Sequence, residues 1–247
     1  MTVVIILAAG IGSRIRQSTN KDIPKSLISV SNISMLGRLL DILINVDIDR
    51  IYIIVGHLGD QIINFVNRHE KYQSNCVVIK SRNYLKGPIF TFHDLDIDKK
   101  MVENYLLCPA DLIIKPAAIR KFLEVFRENN PELLIAIDRS KELKGVTAKI
   151  KNVNKSYGIV KDYNFTNKKG NDDRKLIPII IFNNKFLKYV DLAINSGFTK
   201  IIDAMRLYLE DGNQTNYIDL TGNYWFDIDD IKILNQARKF FNDREKK

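Results

Sequence analysis

The chain has little of what usually announces specialised chemistry. Its 247 residues include two cysteines, three histidines and one tryptophan. Cys76 and Cys108 form no Cys-x-x-Cys pair and no disulfide framework; that usage fits a reducing, cytoplasmic setting, and both read as core residues. His57, His69 and His93 read as structural or surface residues, with His57 and His93 near strand or loop ends that could line a pocket. Six prolines and 12 glycines exclude a collagen-like or low-complexity chain. Long hydrophobic runs are missing too. The longest early one, 3–9, falls far short of the roughly 20 residues that span a bilayer. No basic stretch precedes it and Gly10-Ile11-Gly12 follows it, so a buried strand is expected there, not a leader peptide or a membrane span.

Charge is one-sided but dispersed. Lys and Arg total 38 against 29 Asp and Glu, a formal net charge of +9. The basic residues come in pairs such as Lys99-Lys100, Lys168-Lys169 and Lys246-Lys247, with no long block of like charge and no interleaved basic-aromatic motif. A nucleic-acid partner is therefore not expected, and the surplus suits small anionic substrates or solubility. With 45% hydrophobic and 27% charged residues, the composition is that of a folded globular chain.

Apolar spacing alternates between two periods in the first half. Short continuous runs at 3–7, 51–55, 76–79, 105–108 and 133–137 read as strands buried on both faces. Helical spacing connects Met35, Leu36, Leu39, Leu40 and Leu43 behind a Ser34 cap. It recurs at 60–68, with Ile62, Ile63 and Val66 inward, at 89–95 after Gly87-Pro88, and from Pro116 to Glu128. This alternation predicts right-handed crossovers and a mainly parallel sheet with helices on both faces. The second half is more mixed, with strands at 146–150, 157–163, 176–182 and 215–220, helices at 185–195, 199–210 and 231–241, and a polar loop at 164–174. With no internal repeat and no linker, one α/β domain over 1–247 is expected, its later strands extending or flanking the main sheet.

The strongest chemical signal is the first turn, Leu7-Ala8-Ala9-Gly10-Ile11-Gly12-Ser13-Arg14, with Pro24-Lys25 after it. In an open parallel sheet, ligands bind beyond the carboxyl ends of the strands, and this turn leaves the first strand at that edge. The small residues Ala8, Ala9, Gly10 and Gly12 let backbone N–H groups approach an anion closely. Arg14 adds a planar cationic fork and Lys25 a mobile point charge. Together they make a site for a polyphosphate. The spacing is neither a Walker A nor a dinucleotide fingerprint, because Ile15 stands where the third glycine of the latter would be.

Leu-Ala-Ala-Gly-x-Gly-Ser-Arg followed by Pro-Lys resembles the signature of the nucleotidylyltransferases that make sugar nucleotides and related activated phosphates, and the likeness extends over nearly the whole chain. Ile51 to Gly56 with Gly59-Asp60 resembles the second strand and turn of that family. The resemblance implies a Rossmann-like, mixed sheet of the nucleotidyltransferase (GT-A-like) type, with a nucleotide-binding part over 1–140 and an acceptor-binding part and closing helix over 141–247. It implies that Leu7, Ala8, Ala9, Gly10, Gly12 and Ser13 contact the nucleotide, and that Arg14 and Lys25 bind and polarise its triphosphate. Gly87 lies where the family has a glycine near the base, although Gly87-Pro88-Ile89 departs from the usual Gly-Thr/Asn-Ala.

Asp111, in Pro109-Ala110-Asp111, matches a metal-binding aspartate of that family. Trp225-Phe226-Asp227-Ile228-Asp229-Asp230 is similar to its Trp-x-Asp-x-Asp-Thr motif, so Asp227 and Asp229 are both candidate ligands. The residues support this independently. A nucleoside triphosphate arrives with Mg²⁺, which favours oxygen ligands and only one or two protein carboxylates. Asp227 and Asp229 alternate with Phe226 and Ile228 and would face one side of an extended chain. Asp229 or Asp230 could instead cap the last helix.

The implied reaction is in-line attack of an acceptor phosphate oxygen on the α-phosphorus of the nucleotide, releasing pyrophosphate. A phosphomonoester has its second pKa near ~6, so no general base is needed, in keeping with the scarcity of histidine. Arg139, Lys149, Lys161 and Lys168 are candidates for the acceptor phosphate. The family's Glu-Lys-Pro is absent after Tyr157-Gly158-Ile159-Val160, leaving Lys168 or Lys169 as its substitute. Asp138-Arg139, 146–150, 158–160 and 225–229 together look most like inositol-1-phosphate cytidylyltransferases and their archaeal relatives, which makes CTP the favoured donor. Leu176 to Ile180 replaces a polar pocket segment of that subfamily, so a sugar-1-phosphate or phosphocholine acceptor stays open. So do a homodimer and a catalytically inactive, nucleotide-binding regulatory role.

Overall fold

Val3, Val4, Ile5 and Ile6 are fully buried, which only a strand covered on both faces allows. The computed structural model describes residues 1–16, 19, 22–95, 97, 98, 100–140, 146–154, 156–164 and 173–245. The chain opens with β1 (Thr2–Ala8), α1 (Ser13–Arg16), a hairpin of β2 (Ser29–Val30) and β3 (Ile33–Ser34), α2 (Met35–Leu43), β4 (Arg50–Val55), α3 (Gly59–Asn67), α4 (Glu70–Asn75) and β5 (Cys76–Lys80). It continues through α5 (Pro88–His93), β6 (Asn104–Pro109), β7 (Leu112–Ile114), α6 (Pro116–Asn129) and β8 (Leu133–Asp138). The second half contains β9 (Thr147–Asn152), β10 (Tyr157–Asn164), β11 (Asp173–Asn183), α7 (Leu187–Asn195), α8 (Ile201–Glu210), β12 (Asn216–Asp219), β13 (Trp225–Asp227) and α9 (Ile231–Glu245).

Nine strands form one sheet in the order β5-β4-β1-β6-β11-β8-β12-β10-β9. The expected parallel arrangement holds for β5, β4, β1 and β6, which are joined by helical crossovers. Beyond them β11 runs antiparallel to both β6 and β8, β12 is parallel to β8, and β10 is antiparallel to β12 and β9. The first residues of β11 also pair with β9, so the strands of the second half close back on themselves. This half turns antiparallel because a short link such as 153–156 allows a hairpin, whereas a parallel return needs a crossover.

Local chemistry explains the helix ends. The Ser34 hydroxyl accepts the Gly37 N–H at 3.1 Å and starts α2, whose Leu36, Leu39, Leu40 and Leu43 are buried. Pro88 and Pro116 occupy first turns, where no N–H is needed. The β2–β3 hairpin, α1, α4 and the β7–β13 ribbon were not expected from the sequence. They are too short to display a period.

Two large apolar clusters cover the two faces of the sheet. One contains Phe182, stacked on Tyr105 at 5.5 Å and edge-on to Phe92 at 5.7 Å. A third cluster joins Ile15, Ile28, Val30 and Met35 to Ile113, Ile228, Leu234 and Ala237, and so clamps the segment after β1 against α9. No helix of the described residues is long and apolar enough to cross a membrane. Phe182→Ala should lower stability by about 3–5 kcal/mol, because the aromatic cluster cannot collapse into the gap; the midpoint of urea unfolding measures it, and a loss under about 1 kcal/mol would show that the cluster repacks.

Candidate active site

The parallel strands deliver their carboxyl ends, with those of β8 and β12, to one edge of the sheet. There the turn after β1 is held from both sides. Ala110 donates its N–H to the Leu7 carbonyl at 3.0 Å and His57 to that of Ala9 at 3.2 Å. Gly12 has a φ of 65°, and a Cβ there would stand 3.0 Å from the Cβ of Lys25. Only glycine lets Lys25 lie across this turn. Gly10 has nothing within 4 Å of the place of a Cβ, so the turn stays open towards the cleft.

That cleft is a cavity of about 340 Å³. Its wall contains every sequence-predicted nucleotide residue, Leu7, Ala8, Ala9, Gly10, Gly12, Ser13 and Gly87, together with Arg14, Lys25, Asp111 and Asp229. Tyr84 and Thr91, which carried no sequence signal, line it as well. Gly87 has a φ of 128°, and a Cβ on it would meet the Thr199 carbonyl at 2.6 Å, so it is the closest approach of this loop to the segment before α8.

The charged groups converge inside. The Lys25 ammonium is ion-paired with Asp111 and lies 3.3 Å from Asp229 Oδ1. Burial alone would lower the Lys25 pKa. The charge and hydrogen bond of Asp111, with Asp229 and Asp227, outweigh it and hold the lysine above its ordinary value. The Lys25 and Asp111 side chains are only 14% and 15% exposed, whereas Arg14 is 73% exposed and reaches Asp229 at 3.9 Å.

A register brings the carboxylates together. β13 pairs antiparallel with β7, with Trp225 opposite Ile114, Phe226 opposite Ile113 and Asp227 opposite Leu112. Asp111, just before β7, therefore lies beside Asp227, and the Ile228 N–H donates to the Asp111 carbonyl at 3.3 Å. Trp225 Nε1 donates to the buried Asp138 at 2.8 Å, fixing the start of the ribbon to the end of β8. Asp230 accepts the Ile233 N–H at 2.9 Å and caps α9, which leaves Asp229 to the cluster.

One oxygen each of Asp111, Asp227 and Asp229 lies within 4.8 Å of the others. Burial first, then the charges of Asp111 and Asp229, push Asp227 up to about 7. Three crowded carboxylates already drawing a lysine ammonium offer the oxygen donors that Mg²⁺ favours, so the residues fit such an ion. Asp227 and Asp229 both remain candidate partners of Asp111.

A second cavity of about 410 Å³ adjoins the first, sharing Leu7, Pro88, Pro109 and Asp229 with it. Its cations are Lys175 and Lys200, not the residues expected for the acceptor. Arg139 pairs with Asp219 and donates to Asn152 Oδ1 at 2.9 Å, outside both cavities. Lys149 and Lys161 are exposed on β9 and β10, also outside them. Strand pairing turns these side chains away, which linear proximity to a motif does not reveal. Lys168 lies outside the described residues. Lys175 had one usable signal: it directly precedes the apolar run at 176–182 and so enters the sheet at the ligand edge. His57 sits against Arg16, with burial and that charge lowering its pKa, and His93 lies 3.5 Å from Asp191; neither is in the wall of these two cavities.

The profile of the MobA-like NTP transferase domain matches residues 4–187. A 2-aminoethylphosphonate cytidylyltransferase of Lancefieldella rimae is 32% identical over 113 residues, 46% of this chain and 44% of that protein. A CTP:phosphoglutamine cytidylyltransferase of Campylobacter jejuni is 29% identical over 140 residues, 55% of this chain and 52% of that protein. The chain thus spans about half the length of the curated relatives it matches. Among solved structures, an apo UDP-glucose pyrophosphorylase superposes with a TM-score of 0.83 at 11% identity, covering 99% of this chain and 98% of that one. The inositol-1-phosphate CTP transferase from T. maritima superposes with a TM-score of 0.71 at 15% identity, covering 97% of each chain. These structural likenesses establish the α/β nucleotidyltransferase fold.

Charge crowding at Asp227 has a pH signature in EDTA. The unfolded carboxyl loses its proton near 3.8, while the folded one keeps it to about 7. Between these values the folded state binds more protons, so this group's contribution to stability falls as pH rises. Asp227→Asn should remove that slope and raise the metal-free Tm at pH 8, as measured by calorimetry from pH 4 to 8; parallel slopes in the two proteins would contradict the crowding.

Proposed function

This chain belongs to the family of MobA-like NTP transferase domains, and on that footing we propose that it is a cytidylyltransferase, moving CMP from CTP to a small phosphorylated or phosphonylated acceptor and releasing pyrophosphate. The observation that carries this reading is the convergence of Arg14, Lys25, Asp111 and Asp229 on the cavity walled by the glycine turn, with Asp227 clustered against those two carboxylates. CTP as donor is supported by the two curated relatives, each named as a cytidylyltransferase.

The triphosphate lies along the turn after β1, where backbone N–H groups meet its oxygens without obstruction at Gly10. Lys25, rooted over Gly12, holds its charge beside the carboxylates, where the α-phosphate must sit. The exposed Arg14 is placed to neutralise the outer phosphates and the departing pyrophosphate. Asp111, with Asp227 or Asp229, would hold Mg²⁺, which when bound neutralises triphosphate charge. An oxygen of the acceptor's phosphorus group attacks the α-phosphorus in line, a new P–O bond forms, and the bond to the β-phosphate breaks. A phosphomonoester is already largely a dianion at neutral pH, and either a phosphate or a phosphonate carries an anionic oxygen to attack with, so positioning and charge stabilisation carry the catalysis.

The acceptor-binding part is assigned to 141–247, since Val146, Lys175 and α8 wall the second cavity. Inositol-1-phosphate, the narrower acceptor expected from the sequence, is supported by the fold-level likeness to the T. maritima enzyme; phosphocholine and sugar-1-phosphates stand beside it on similar grounds. A catalytically inactive nucleotide binder is the weaker reading, because binding alone does not require three carboxylates around a buried lysine.

Pyrophosphate release with Mg²⁺, crossing five nucleoside triphosphates with phosphorylated polyols, sugars, choline and aminoalkylphosphonates, should select CTP. Lys25→Ala and Asp111→Asn should each lower kcat/KM by about 100-fold or more. Near-normal turnover by Asp111→Asn would remove that residue from the metal site, and loss of all nucleotide binding by the native protein would overturn the reading of the glycine turn.

A further inference from the structure

The second cavity is unlike the first in its wall. Among the described residues lining it, the only charged side chains are Lys175, Lys200, Asp227 and Asp229; the rest are aliphatic, proline, Cys108 or Met205. The cause lies in β11. Its register against β8 slips between Ile177 and Ile180, leaving Pro178 and Ile179 with no partners on β8. A regular strand would send alternate residues to opposite faces. At this bulge, where a proline lacks an N–H for the ladder, the consecutive residues Leu176, Ile177 and Pro178 all border the cavity, with Ile180 after them. Ile202 and Met205 of α8 belong to the same lining.

Lys175 stands where this apolar wall meets the carboxylates. Its backbone is paired to Asp138 on one side and Thr147 on the other, so the root of the side chain is held by two strands. Lys175 lines the cavity together with Asp227 and Asp229, and the charges of those two carboxylates oppose the lowering of its pKa by burial.

Three acceptor chemistries can be compared with this wall. A polyol would bury hydroxyls against aliphatic side chains, and each hydroxyl left unpaired weakens binding by about tenfold. A cationic head would meet two lysines, with Asp227 or Asp229 committed to the transfer centre, and no aromatic side chain among the described lining residues offers a cage for a quaternary ammonium. An aliphatic chain ending in a dianionic phosphorus group matches both features, the chain on the β11–α8 wall and the anion at Lys175.

We infer that this cavity takes a short aliphatic phosphonate or phosphate monoester, with neither a polyol body nor a cationic head, anchored through its phosphorus group by Lys175. The inference rests on the transfer reading for the direction in which the anion points. It departs from the inositol acceptor expected from sequence, and from choline.

The test reads binding without turnover. Calorimetric titration of the full chain with Mg²⁺ and α,β-methylene-CTP, which cannot release its pyrophosphate analogue by P–O cleavage, uses n-alkylphosphonates from methyl to pentyl. Kd should fall by about fourfold per added methylene until the cavity is filled. Inositol-1-phosphate and phosphocholine should bind at least about tenfold more weakly than propylphosphonate. Lys175→Gln should weaken every alkylphosphonate by about tenfold or more, and by more than it changes the nucleotide analogue's Kd. Leu176 lines the cavity too, and Leu176→Asn should flatten the chain-length dependence. No dependence on chain length, or tighter binding of inositol-1-phosphate or phosphocholine, would overturn the inference. Pyrophosphate release with inositol-1-phosphate alone would overturn it while keeping nucleotidyl transfer. Chain-length-dependent binding with no pyrophosphate release from CTP would uphold the ligand class and overturn the transfer reading instead.

Discussion

Asp227 lies opposite Leu112 in a ribbon of two three-residue strands, and the candidate site depends on that pairing. Asp111 and Asp227 are far apart in the chain, and neither strand is long enough to hold its register alone. Three neighbours hold it for them. The Ile228 N–H reaches the Asp111 carbonyl. Trp225 hands its indole N–H to the buried Asp138. Ile113 and Ile228 sink into the cluster beneath α9. A slip of one residue would turn Asp227 to the opposite face and expose Phe226 in its place, so apolar burial and carboxylate placement are enforced together.

The electrostatics of the site follow from the same crowding. Burial of Asp227, and then the charges of Asp111 and Asp229 beside it, push its carboxyl up to about 7. Lys25 relieves part of that repulsion and is itself held charged by it. The lysine reaches this position only because Gly12 has no side chain. The glycine turn thus has two roles at once, clearing backbone N–H groups for an anion and clearing room for the cation that faces it.

The two cavities differ because different parts of the sheet form them. The first is walled by the turn after β1 and by loops at the ends of parallel strands, where backbone polarity is exposed. The second is walled by a bulged antiparallel strand and α8, where side chains dominate and are nearly all aliphatic. On the proposed reading, a donor site of general type adjoins an acceptor site whose character is set by β11.

The sequence by itself determined the elements longer than about six residues, the helix starts at Ser34, Pro88 and Pro116, and the glycine turn with Arg14 and Lys25, because burial periodicity and turn chemistry are written within single segments. It also made Asp111, Asp227 and Asp229 candidates, since each sits in a local motif. Tertiary structure alone decided that these three meet, that Asp230 and not Asp229 caps α9, and that Lys175 and Lys200 face the second cavity while Arg139, Lys149 and Lys161 do not. Those outcomes depend on strand register and on a bulge, which are set by what each residue packs against across the fold, and no linear pattern in the chain records that.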